Sequence, residues 1–435
     1  MDFDILRMPL RELAQRVSGG ELAAVDIATA FIEQVQSHAA LDAWQFFDAD
    51  GVIRQARAID AQGADTPLAG VPLGVKDLMD TADMPTTYGS PIYAGHRPQR
   101  DAACVALARQ LGAVIMGKTV TTEFAAFQPG PTRNPCSPPG QVHTPGGSSS
   151  GSAAAVAAGM VPIALGTQTA RSIVRPAAFC GVVGYKPTFG TISGVGVKAL
   201  SPSLDTVGAF ARRVDDLAWF VSALTHGSLA LQAISGLRVG VCRGPFWDQA
   251  DQDTQRVFDQ GILAFEQAGA RVSDVQLPDG FHALNDAQIV IMAYEAAAAF
   301  APDAQAHAEG FSPAFEALLS KGRMLTAEAY SSARRLGMVS AQALTSRFDS
   351  FDVLLAPSTI GEAPLGLAAT GDPVFNRMWS LLGNPCIHMP IGTGAGGMPV
   401  GVTVVGALHD DARALSAAWM LEQVAPSTAF SGSPS

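Results

Sequence analysis

Charge is scarce in this chain. Asp, Glu, Lys and Arg make up 15% of its 435 residues, and the balance is acidic, at −11. No cluster of Lys and Arg occurs, which excludes a partner bound along a phosphate backbone. Little charge with 48% hydrophobic residues also excludes a disordered chain and leaves ample material for a large core. Cysteine is sparse too. Cys104, Cys136, Cys180, Cys242 and Cys386 are odd in number and form no C-x-x-C pair, so a disulfide framework is excluded and a reducing, cytoplasmic setting is expected. The opening MDFDILRMPL has no basic segment followed by an apolar one, so no secretory leader is expected. The longest apolar stretch, Ala153 to Leu165, is broken by Gly159 and Pro162 and is too short for a bilayer. No membrane partner follows. The histidines are scattered without paired spacing or carboxylate companions, so no metal site is expected; the chemistry reached below needs no cofactor.

What is present is alternation. Short apolar runs at Val71 to Val75, Ala113 to Met116, Val161 to Leu165, Leu237 to Cys242, Val353 to Ala356 and Val400 to Val405 read as strands. Helical patterns lie among them at Ala102 to Leu111, Thr254 to Ala268 and Ala412 to Val424. Val25, Ile27, Phe31, Ile32 and Val35 mark an earlier helix by their spacing. Such alternation predicts an α/β fold with a mixed central sheet covered by helices. We expect one large domain over residues 1–435, with 236–352 as a helical elaboration within it. The Gly-, Pro- and Ser-rich tract from Gly130 to Ser152 resembles a linker by composition. It runs straight into AAAVAAGMVPIALG, however, which must be buried, so a tight packed loop is expected.

Two motifs fail on context. GAVIMGKT, Gly112 to Thr119, fits a phosphate-loop spacing, but its four variable positions are themselves the strand. It reads as a buried strand ending in a lysine that seeks the surface. GSSSG, centred on Ser149, fits a nucleophile elbow, but the proline-rich segment before it cannot be a central strand.

Three segments carry chemistry. GVPLGVKD delivers Lys76 at the end of an apolar strand, and burial would lower its pKa toward use as a base. PGGSSSGSAAAVAAG offers tight turns and hydroxyls able to donate and accept at once, though one of its serines could simply cap a helix. ALGTQTARSIVRPAAFCG takes a strand through a turn to Ser172 at a helix start, where free backbone N–H groups can hold an oxyanion.

In this order, with GYKPTFG and SLDTVG following, these segments resemble the amidase signature family over nearly the whole chain. The resemblance implies a soluble amidohydrolase. Lys76 would be the base, Ser148 the relay within a cis peptide bond, and Ser172 the nucleophile that is acylated. Backbone N–H groups of Thr169, Ala170, Arg171 and Ser172 would form the oxyanion hole. Arg175 stands three residues after the nucleophile, in S-I-V-R-P. With GTQT and WSLLGNPC it resembles the malonamidase subgroup, where such an arginine grips a substrate carboxylate; a structural salt bridge is the plainer alternative. The implied substrate is a small carboxylate-bearing amide such as malonamate, handled by a monomer or homodimer.

One departure stands out. The family places Gly-Gly before the nucleophile, and this chain has Ala170-Arg171. A left-handed turn there would cost about 1–2 kcal/mol per residue, whereas an ordinary turn would leave the donors intact. Arg171 could also enter the pocket and attract an anion. The second reading is therefore a catalytically impaired relative that binds a small anion. A glutaminase-like subunit of a tRNA-dependent amidotransferase ranks below both.

Overall fold

The computed structural model describes residues 5–63, 65–225, 227–307 and 309–425; the acidic opening residues 1–4 lie outside them. Eleven strands form one mixed sheet: β1 (Trp44–Phe47), β2 (Pro72–Lys76), β3 (Val114–Thr119), β4 (Ile163–Gln168), β5 (Val183–Lys186), β6 (Thr206–Ala211), β7 (Arg238–Val241), β8 (Arg271–Asp274), β9 (Val353–Pro357), β10 (Cys386–Thr393) and β11 (Pro399–Gly406). Their spatial order is β1-β3-β2-β4-β6-β5-β10-β11-β9-β7-β8. This is the expected α/β architecture, with helices packed on both faces.

Strands β2, β3 and β4 are buried along their full length, which explains why they read as apolar runs. The strands missed in the sequence were β1, β5, β6, β8 and β10. Edge strand β8 is exposed at three of its four residues, so it lacks an apolar signature. The apolar stretch from Ala153 divides into a fully buried helix, Ser150–Ala157, and β4. Gly151 is the close-approach point of that helix. A Cβ there would sit 2.2 Å from the carbonyl oxygen of Ala43 and 2.3 Å from the amide nitrogen of Val120.

One local expectation is corrected, and one alternative reading falls away. Lys118 does not seek the surface: it is fully buried on β3, 3.1 Å from Asp77, and donates to the Met79 carbonyl and Thr86 Oγ1. Its fixed partner Asp77 outweighs the pull of solvent. No serine side chain caps Ser150–Ala157 either; Ser149 Oγ instead bonds to the backbone of Thr167 on β4.

Segment 236–352 contributes β7 and β8 to the sheet and, among its helices, Leu284–Ala299, Pro313–Met324 and Ala327–Thr345. The first two supply Met292 and Leu318 to the wall of the site described next. No helix among the described residues is long and apolar enough to cross a membrane.

Candidate active site

Parallel pairing of β2 with β4 sets their carboxyl ends side by side, at the edge where open α/β sheets place ligands. Lys76 closes β2. Its Nζ lies 2.7 Å from Ser148 Oγ and 2.7 Å from Thr167 Oγ1 on β4. The side chain is completely buried, and that burial pushes its pKa well below the usual amine value, opposed in part by the carboxylate of Asp205. An uncharged amine in this position can accept the proton of one hydroxyl while donating to the other.

Ser148 is held by its loop. The Gly147–Ser148 peptide bond is cis, and the Ser148 carbonyl accepts from the amides of Thr122 and Ser150. Gly146 precedes it at φ +77°, and a Cβ there would come within 3.0 Å of Pro176 Cα. Only glycine combines that left-handed backbone with so close a neighbour.

Beyond β4 the chain turns through Thr169, Ala170, Arg171 and Ser172 before the helix Val174–Cys180 begins. The amides of these four residues donate to no acceptor among the described residues, and all four residues line one cavity with Ser148. Neither Ala170 nor Arg171 has a positive φ. The turn therefore does not need the family's glycines, and the backbone cost raised by the sequence does not arise. Ser172 does not cap the helix. That task falls to Gln168, whose Oε1 accepts from the amides of Ile173 (2.9 Å) and Val174 (3.0 Å). Its Nε2 donates to Ser380 Oγ at 3.0 Å, and Ser380 Oγ donates to the Ala170 carbonyl at 3.0 Å. Gln168 and Ser380 thus fix both ends of the turn. Thr169 Oγ1 donates to half-buried Asp205 at 2.5 Å, and the amides of Leu200 and Ser201 donate to the other carboxylate oxygen. Burial raises the Asp205 carboxyl to about 6.

Sequence reasoning missed Thr167, Gln168, Ser380 and Asp205. Thr167 and Gln168 lie in the GTQT segment, and Asp205 lies in SLDTVG. Both segments were used only as likeness, and neither shows from spacing alone that its side chains converge. Ser380 lies more than two hundred residues from the turn it holds.

The cavity is a narrow cleft with three walls. One wall is apolar, from Leu200, Met292 and Leu318. Another is Ala125, Ala126 and Phe127, reached through the left-handed, non-glycine residues Phe124 (φ 47°) and Ala125 (φ 61°). That backbone is costly and is held by packing of the Phe124 ring on Phe300 and Phe315 at 4.7 and 4.9 Å. Arg171 and Arg175 form the third wall, both buried. The Arg171 guanidinium lies 5.5 Å from the Phe127 ring centre. Arg175 donates from Nη2 to the Gly147 carbonyl and to Thr370 Oγ1, both at 2.7 Å, and from Nη1 to the Gly371 carbonyl. It forms no salt bridge among the described residues. No group of three or more His, Cys, Asp and Glu among those residues is arranged to hold a metal ion.

Comparison with known proteins agrees with this fold. A glutamyl-tRNA(Gln) amidotransferase subunit from Acidothermus cellulolyticus is 34% identical, over 94% of this chain and 93% of its own. A structure described as an amidase superposes at a TM-score of 0.87, with 30% identity and coverage of 96% and 100%. The native peptide amidase of Stenotrophomonas maltophilia gives a TM-score of 0.81, with 28% identity and 96% coverage of both chains. The amidotransferase likeness, ranked last from the sequence, is thus the one borne by several curated relatives, and the malonamidase likeness finds no counterpart among them. Residues 26–415 match the family described as Amidase, and the chain belongs to that family, as a hydrolase of amide C–N bonds.

Proposed function

We propose that this protein hydrolyses a small carboxylate-bearing carboxamide, of the malonamate kind, to the acid and ammonia through an acyl-enzyme. The observation that carries the reading is the buried Lys76 amine, 2.7 Å from Ser148 Oγ, in a cavity that Ser148 shares with Ser172. Lys76 accepts the Ser148 proton as Ser148 accepts that of Ser172. Ser172 Oγ attacks the amide carbonyl, and backbone N–H groups of Thr169 to Ser172 stabilise the oxyanion. The proton returns through the relay to the leaving nitrogen, ammonia departs, and water attacks the acyl ester by the same route. The cationic wall of Arg171 and Arg175 favours an anionic group on the substrate. Ammonia release from a panel of short amide acids tests this. No turnover by folded protein across the panel refutes it, and Ser172→Ala should abolish whatever turnover is found.

A second reading is a glutaminase-like subunit, favoured by the 34% identity to a glutamyl-tRNA(Gln) amidotransferase chain. It predicts ammonia release from glutamine and recovery of the native protein with unlike subunits. Recovery as a lone chain or homodimer counts against it. The reading as an impaired relative loses its main support, because Ala170 and Arg171 hold the turn without positive φ. It would be revived if Arg171→Gly raised the rate greatly.

A further inference from the structure

Two guanidiniums face the cavity, and they are not equally free. A carboxylate pairs bidentately with an arginine through either the Nε/Nη2 edge or the Nη1/Nη2 edge. Both edges use Nη2. In Arg175 both Nη2 hydrogens are taken, by the Gly147 carbonyl and Thr370 Oγ1, so neither edge is open. These bonds and the one to Gly371 tie the helix Val174–Cys180 to the loop that presents Ser148 and to the 370–371 segment. Arg171 differs on every count. Its guanidinium makes no hydrogen bond and no ion pair among the described residues; it rests over Phe127, and both edges are open.

We infer that Arg171 is the residue that selects a carboxylate on the substrate, while Arg175 positions the Ser148 loop. The inference rests on the amidase reading and deepens it. The position where the family has glycine is then the specificity determinant of this chain. Surrounding charge agrees. Arg377, also buried, repels Arg171 and donates to Gln288 Oε1 at 2.6 Å; Asp372 partly offsets all three cations, and Asp286 partly offsets Arg377. Burial together with Arg377 lowers the Arg171 pKa to about 9, so it remains a cation at neutral pH. An excess of buried cations beside an apolar wall of Leu200, Met292 and Leu318 fits a short amide with one charged end.

The test uses the intact protein and two readouts. One is the ratio of kcat/KM for malonamate to that for the neutral amide propanamide. The other is calorimetric binding of malonate. Arg171→Gln should lower the ratio by about 100-fold, chiefly through KM for malonamate, and weaken malonate binding similarly, as expected for two charge-assisted hydrogen bonds. Arg171→Lys should fall between. Arg175→Gln should lower kcat for both amides and leave the ratio within a few-fold. A ratio and a malonate affinity unmoved by Arg171→Gln, or a ratio that collapses only in Arg175→Gln, overturns the inference. If the folded wild type releases no ammonia from either amide, the amidase reading fails by itself. Malonate binding then still decides, with loss in Arg171→Gln supporting the assignment and retention overturning it.

Discussion

Gln168→Met isolates the device that shapes the oxyanion turn. Methionine nearly matches glutamine in volume, so the change removes hydrogen bonds without opening a large cavity. The amides of Ile173 and Val174 lose their acceptor, and Ser380 Oγ loses a donor. A buried group left unsatisfied costs about 1–3 kcal/mol, so the whole change should cost about 2–5 kcal/mol of stability. The catalytic effect should be larger than the stability effect implies. The four free amides of the turn are held from one side by Gln168 and from the other by Ser380 on the Ala170 carbonyl. Misplacing one oxyanion donor lowers kcat by about 10²–10³. The loss should fall on kcat and not on KM, because the oxyanion exists only beyond the ground state. Thermal unfolding and steady-state ammonia release measure the two effects. A variant with kcat within threefold of the wild type would show that the turn keeps its shape without Gln168, and the argument would fail.

Further outcomes follow from the same geometry. Activity should rise with pH as Lys76 loses its proton, because only the neutral amine is a base. Asp205→Asn removes the carboxylate that opposes this, and should move the acid limb of the kcat/KM profile to lower pH. Thr167→Val deletes a hydroxyl 2.7 Å from the Lys76 amine and should lower kcat by about 10–100-fold with little change in KM. Lys118→Met strands the buried Asp77 carboxylate and should cost about 3–5 kcal/mol in chemical denaturation, much of it recovered in the double variant with Asp77→Asn.

Much of the fold was legible in the order of residues alone. Buried strands such as β3, β9 and β11 announce themselves as apolar runs, because both faces of the sheet are covered. Lys76, Ser148 and Ser172 could be proposed because they sit in segments with a strong likeness to a family. The edge strand β8, and the left-handed pair Phe124-Ala125 inside the turn-free sequence EFAAF, left no such mark. Lys118 was misjudged because its partner Asp77 lies on the segment after a neighbouring strand, a pairing invisible along the chain.

The sequence by itself determined the architecture and the kinds of side chain available, since both follow from local periodicity and composition. Only the tertiary structure decided what Ala170-Arg171 does. Whether a turn needs glycine depends on its φ angles, and which arginine is free depends on acceptors from residues 147, 370 and 371, brought together by packing of distant segments.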